Sequence, residues 1–231
     1  MTSSHGGEKM WCVEKLDEEY IFKMEDVLKI CEKPLSELEP VVCADEKPVV
    51  LHEDTRPSIA MQPGRVARRD YEYKRCGAAD VFCNIEPKAG AHLTKVTATR
   101  SSPEFADFIL EIAAHYPAAV PIHPVMDNLS THSRKALVDR FGEMAGGWLW
   151  NRFTVHYTPR HVSWLNQAGI EIGIYSRQCL GRRRLGNIFM LRRPAKAWNC
   201  RTNRDRIKIQ WKFARKLARL KLDYSFKRSR C

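Results

Sequence analysis

The segment Asp127-Asn128-Leu129-Ser130-Thr131-His132 directly follows the apolar run Ile122–Met126. An apolar run that ends in Asp-Asn and turns into Ser/Thr reads as a buried strand delivering a carboxylate to a strand–helix junction, with Ser130 and Thr131 placed to cap the next helix. Upstream, Val41-Val42-Cys43-Ala44-Asp45-Glu46-Lys47-Pro48 repeats the pattern, a β-branched run with an Asp at its far end. Two strands that each present an Asp at a sheet edge are what a two-metal phosphodiester site requires. Hard Mg²⁺ or Mn²⁺ ions take carboxylate oxygens, and rigid strands fix an ion spacing of roughly 4 Å. The competing reading of Asp127 is a plain turn residue. For Asp45 a structural role is the lesser reading, because Asp is depleted in strands.

The elements that must hold these residues are legible in outline. Residues 1–10 are polar and read as disordered, and the spacing of Ile21, Met24, Leu28 and Cys31 predicts a helix from about Asp17 to Cys31. Pro34 and Pro40 bracket a connector before a strand at Val41–Asp45, and residues 51–70 read as a loop excursion. Strands at about Asp80–Ile85 and His92–Ala98 are joined through Pro87-Lys88-Ala89-Gly90 as a hairpin. Ser101 or Ser102 caps a helix that begins at Pro103, whose face is Phe105, Phe108, Ile109 and Ile112. After the Asp127 strand come a helix over Ser133–Phe141, a strand at Arg152–Tyr157 and a helix from Trp164 to about Leu180. Hairpin strands followed by alternating strands and helices imply a mixed sheet with helices packed on it.

With 231 residues, 44% of them hydrophobic, the chain can bury a substantial core. Its eight Cys include no Cys-x-x-Cys pair, which excludes the common zinc arrangements and predicts free thiols in a reducing compartment. No apolar stretch reaches eighteen residues and the N-terminus is not signal-like, so a soluble intracellular protein with no membrane partner is expected. The net charge of +12 is unevenly distributed. Residues 177–231 hold 19 Lys/Arg against two acids, a net of +17, and residues 1–176 carry a net of −5. A basic tail containing Arg182, Arg183, Arg184, Arg192 and Arg193, with Trp198 and Trp211 interleaved, suggests binding to nucleic-acid phosphates. The alternative is a solvated basic helix without a partner.

Four motifs in order carry a stronger signal: Cys-Ala-Asp-Glu-Lys-Pro, Met-Asp-Asn-Leu-Ser-Thr-His, His156-Tyr157-Thr158-Pro159-Arg160-His161 with Ser163-Trp164-Leu165-Asn166, and Ser176-Arg177-Gln178-Cys179-Leu180. Together, from Trp11 to about Tyr224, the chain resembles the catalytic domain of the DDE transposases, in the bacterial insertion-sequence branch related to the mariner elements. The resemblance implies an α/β fold, a ribonuclease-H-like mixed five-stranded sheet flanked by helices. Its parts would be an N-terminal segment and helix over residues 1–40, the catalytic domain over 41–180, and a basic helical C-terminal extension over 181–231. It also implies metal-dependent DNA strand cleavage and transfer, a site of two Mg²⁺ or Mn²⁺ ions held by Asp45 and Asp127, and DNA (transposon ends and target) as partner. A homodimer, a bacterial nucleoid-associated location and a separately encoded helix-turn-helix domain are further expectations, the last because the chain opens where the family's catalytic domain opens.

One departure bears on all of this. The family's catalytic Glu matches Gly169, so the third, metal-holding position is degenerate. Glu171 lies about 200° around a helix from position 169 and is not expected to face the same way. Gly169 and Gly173, four apart, also fit a packing role, although each Gly in a helix interior costs about 1 kcal/mol relative to Ala. Pro124 sits within the Asp127 strand, where its missing N–H removes a ladder hydrogen bond. Leu185–Met190 also departs from the family's more polar linker. The reading is therefore a truncated, degenerate transposase catalytic domain with impaired activity. Its competitors are an active enzyme completed by Glu171 or an accessory chain, a non-catalytic DNA-binding remnant, and a product without function.

Overall fold

The β-branched run that opens at Val41 does not stop at Asp45. In the computed structural model, which describes residues 16–160 and 162–225, strand β1 runs Val41–Asp54. The expected disorder of residues 1–10, together with Trp11 and His161, lies outside the described residues. Asp45-Glu46-Lys47-Pro48 reads as a terminator, yet β1 carries it because only one strand flanks this stretch. β1 pairs antiparallel with β2 (Tyr73–Glu86) along nearly its whole length, whereas its other neighbour, β4 (His123–Met126), matches only Val41–Cys43. The loop excursion therefore begins after Asp54 rather than at residue 51.

β2 turns through residues 87–90 into β3 (Ala91–Thr97), as the hairpin reading anticipates. Gly90 is required there: its φ is +66°, and a Cβ would lie 2.7 Å from the Arg206 backbone. The sheet order is β3-β2-β1-β4-β5, antiparallel across β3, β2 and β1 and parallel across β1, β4 and β5, with β5 spanning only His156–Tyr157.

Pro124 explains why β5 is so short. On β4, the His123 N–H turns toward β1 and donates to Pro40 O (2.9 Å). Ile122 turns the other way, donating to Arg152 O (2.8 Å) and accepting from Thr154 N (2.9 Å). Pro124 falls at the next position facing β5, where it has no N–H to offer. Pairing is thus split into a bridge at Ile122–Phe153 and the two-residue strand. β4 is next to the sheet edge rather than central, so the loss falls on the edge strand, where Pro is tolerated. Pro124→Ile is expected to restore that bond and raise stability by about 1 kcal/mol, read from chemical denaturation midpoints.

Helix α1 (Glu18–Glu32) starts at Asp17, whose carboxylate accepts from Tyr20 N (2.7 Å). On one face of the sheet, Val42, Ala44, Phe82, Ile122 and Met126 pack against α2 (Ser102–His115) and α3 (Arg134–Phe141). The expected face of α2, Phe105, Phe108, Ile109 and Ile112, is buried. Ser130 and Thr131 do not cap α3. Its N-cap is Ser133, without a side-chain bond, and the residues before it form an irregular turn. A further helix, α4 (Glu143–Trp150), is obscured in the sequence by Gly146-Gly147. A side chain at 146 would collide with the Leu137 carbonyl, so Gly146 lets α3 and α4 approach closely.

The opposite face carries α1 and the region expected as one helix from Trp164 to Leu180. That region is three pieces: a 3₁₀ turn (Ser163–Leu165), α5 (Ala168–Tyr175) and a π-helical turn (Ser176–Leu180). The break falls at Asn166, whose side chain bonds elsewhere. α6 (Ile188–Asp205) covers β3, where Asn203 accepts from His92 N (2.8 Å) and donates to His92 O (2.7 Å). α7 (Arg215–Leu222) packs on α1 through Arg219–Glu25 (2.6 Å) and Arg215–Glu32 (2.6 Å). Among the described residues no helix is long and apolar enough to cross a membrane.

Candidate metal centre

Two parallel strands lead to the two aspartates. Val41, Val42 and Cys43 stand opposite His123, Pro124 and Val125. Asp45 lies two residues past the last pair on β1, and Asp127 two past it on the other chain segment, immediately after β4, with its charge felt at Asp45. Alternation gives the side of Asp45: Cys43 joins the core formed with α1, and the residue two further along points the same way. Asp45 is largely buried and accepts from Glu46 N at 2.8 Å, while the Asp127 side chain is 35% exposed.

The next residue on β1 points to the other face, and there the structure adds a pair that sequence reasoning missed. Glu46 Oε1 lies 2.8 Å from His132 Nε2. His132 Nδ1 reaches back to the Asp127 carbonyl (3.1 Å) and lies 2.8 Å from Asp127 Oδ1. The carbonyl takes the hydrogen bond, and Oδ1, off the N–H axis, remains a buried acceptor with only the ionic interaction. Burial alone would depress the His132 pKa, but Asp127 and Glu46 outweigh it and push it up to about 10. The ring is an imidazolium at neutral pH. The ligand atoms of Glu46, Asp127 and His132 lie within 4.8 Å of one another. The available signal was the Asp45-Glu46 dipeptide in a strand, which must send its carboxylates to opposite faces, and the His that closes the Asp127 motif.

Gly169 lies in the first turn of α5 and is exposed, and a Cβ there would meet nothing within 4 Å. Asn166 links this turn to β1. That side chain donates to Ala44 O (2.7 Å) and accepts from Ala168 N (3.1 Å), and Gly169 N donates to Asn166 O (3.0 Å). Asn166 thus ties the start of α5 to the peptide that precedes Asp45. Glu171 turns away, as its helical phase requires. It is 1% exposed and engages His92 Nδ1 at 2.5 Å, while His92 Nε2 faces Ile207 O at 3.1 Å.

Burial, together with the charges of Glu46 and Asp127, raises the Asp45 pKa to about 6, against the opposing effects of the Glu46 N–H and His132. Asp45, whose charge is opposed by burial and by the neighbouring Glu46 and Asp127 carboxylates, forms with Asp127 an oxygen donor set that fits Mg²⁺ or Mn²⁺.

The basic tail is less free than its composition suggests. Arg184 donates to Asp54 (2.6 Å) and to the carbonyls of Asp70, Tyr71 and Glu72, and so fastens the 55–72 loop. Arg183 is exposed but donates to Cys179 O (2.8 Å). Arg182, Arg192 and Arg193 are exposed, with Arg192 lying over the Phe189 ring. Trp198 is not a surface aromatic. It is 3% exposed, packs on Tyr175 and donates to Gln178 Oε1 (3.1 Å).

The family described as DDE superfamily endonuclease matches residues 40–192, and the chain belongs to it. No curated protein matches the chain. Among solved structures, it is similar to the Mos1 transposase paired-end complex with left transposon end, at 14% identity and a TM-score of 0.56, covering 89% of this chain and 62% of that one. It is also similar to the Mos1 mariner paired-end complexes with Mn (13% identity, TM-score 0.54, 88% and 62% covered) and with Mg (14% identity, TM-score 0.53, 90% and 61% covered). At this identity the likeness establishes the ribonuclease-H-like fold, and the chain spans about three fifths of the Mos1 chains it matches.

Proposed function

We propose that this chain is a transposase catalytic domain for metal-dependent DNA strand cleavage and transfer, weakened by Gly169. The observation that carries this reading is that β1, which bears Asp45, runs parallel beside β4, which leads straight into Asp127, with the Asp127 charge felt at Asp45 and Asn166 tying the start of α5 to β1. Asp45 and Asp127 would hold Mg²⁺ or Mn²⁺, which supplies an activated nucleophile and stabilises the leaving oxygen. Glu171 does not replace the missing ligand, because withdrawing it would strand a buried His92. The Mos1 complexes contain a transposon end and Mn or Mg, which agrees with DNA and those ions as partners here. The open groove next to Asn128 is lined by Asp17 and Glu19 as well as by Lys23 and Arg160, and Lys23 is paired with Glu19, so it carries no net positive charge of its own toward a strand. A plasmid-nicking assay in Mn²⁺ tests the reading. Weak cleavage lost on Asp45→Ala supports it, and robust cleavage indifferent to that change refutes it.

The second reading, a DNA-binding remnant, is favoured by the exposed Arg182, Arg192 and Arg193. Removing everything past Gln178 would not test it, because Leu191, Ala195 and Trp198 belong to the core. Replacing Arg182, Arg192 and Arg193 by Ala in the whole chain is expected to weaken duplex binding. It should also flatten the log–log salt dependence by about 0.9 for each phosphate that is no longer neutralised, as read in a salt titration. An unchanged slope would leave these arginines as solvated surface.

A further inference from the structure

The Glu46–His132 pair lies on the opposite face of β1 from Asp45, yet it touches Asp127. We propose that His132, held by Glu46, is a positioning residue that sets the Asp127 carboxylate for cation binding. This inference rests on the metal-site reading of Asp45 and Asp127 given above.

Every degree of freedom of the ring is fixed. Phe105 stacks on it with centroids 4.5 Å apart and planes 25° from parallel. Glu46 Oε1 meets Nε2, and the Asp127 carbonyl meets Nδ1. Its backbone is also tied: Tyr157 Oη donates to His132 O at 2.7 Å, and His132 N donates to Leu129 O at 3.0 Å. Both ring nitrogens face oxygens that can only accept, so both act as donors. The result is a bridge between the two Asp motifs, from β1 through Glu46 and the ring to the residue that ends β4. Asp127 follows a strand end in an irregular turn, where nothing in the strand ladder fixes its side chain. The ring closes that turn on itself and draws Oδ1 to 2.8 Å, while Oδ2 has no protein partner among the described residues. One oxygen is oriented by the protein and the other is left for a cation. Partners that orient metal-holding carboxylates commonly change metal affinity or activity by about 10- to 100-fold when removed.

The alternative is that His132 only packs under Phe105. Mn²⁺ binding to the purified whole chain, followed by the resonance signal of free Mn²⁺, separates the two, in the wild type and in a Gly169→Glu background. His132→Ala is expected to weaken Mn²⁺ binding by about 10- to 100-fold. His132→Asn, which keeps an N–H close to the Nδ1 position, should recover most of that loss. Glu46→Gln, which keeps the acceptor oxygen but not its charge, should fall between them and provides the test if the Ala variant does not fold. Mn²⁺ affinity within about twofold of the parent in folded His132→Ala or Glu46→Gln, with Asp127→Ala still abolishing binding, overturns the positioning role alone. Mn²⁺ affinity unchanged by Asp127→Ala overturns the metal-site reading itself.

Discussion

Gly169→Glu is expected to raise Mn²⁺-dependent nicking by roughly 10²- to 10³-fold, the range associated with one group that stabilises charge in a transition state. The structure leaves room for it. A Cβ at 169 meets no atom within 4 Å, the position is exposed, and φ there is not in the left-handed region. Asn166 already anchors this turn of α5 to the peptide before Asp45, so the new carboxylate joins a scaffold that is in place. Replacing a helical Gly also adds up to about 1 kcal/mol of helix propensity. A third carboxylate beside two others has an opposing electrostatic cost without cations. The melting temperature of Gly169→Glu should therefore respond more strongly to Mn²⁺ than that of the wild type. Nicking by Gly169→Glu at the wild-type level, with Mn²⁺ bound, would show that the defect lies elsewhere in the chain.

The second large effect concerns Asp45 and stability. Its pKa stands at about 6 in the folded chain against an ordinary 3.8, so ionisation favours the unfolded state. The cost is absent below about pH 3.8, grows as pH climbs through the window to about 6, and is complete above it. The difference between 3.8 and about 6 corresponds to roughly 3 kcal/mol. Asp45→Asn should therefore be more stable than the wild type by up to about 3 kcal/mol at pH 8 in chelator, with the difference vanishing near pH 4. Saturating Mn²⁺ should narrow or reverse the order, because the ion stabilises the ionised pair and Asn holds it poorly. Cleavage should be lost in the same variant. Denaturation of both proteins across pH, with and without Mn²⁺, checks every part. Equal stabilities at pH 8 in chelator would show that Asp45 is not electrostatically strained.

Local pattern carried a large share of this protein. The apolar runs before Asp45 and Asp127, the turn at residues 87–90, the α2 face and the phase of Glu171 depend on neighbours a few residues apart, and each can be read from spacing. β1 ran past its apparent stop because strand length depends on which partner lies alongside, and that partner, β2, is supplied by a distant stretch of chain. α4 was hidden because Gly146 serves a close approach to Leu137 rather than a turn. Asn166 broke an otherwise continuous helical pattern because its side chain has a bond to make on β1.

Charge was the least legible of all. Counting residues gives a tail of +17, but Arg184, Arg215 and Arg219 answer Asp54, Glu32 and Glu25, each far away in sequence. The chain by itself determined which carboxylates and cations exist, and that the Glu position holds Gly. Only the tertiary structure decided their partners, because an ion pair or a metal site depends on through-space distance. Hence Glu171 belongs to His92, and Glu46 and Asp127 meet across His132.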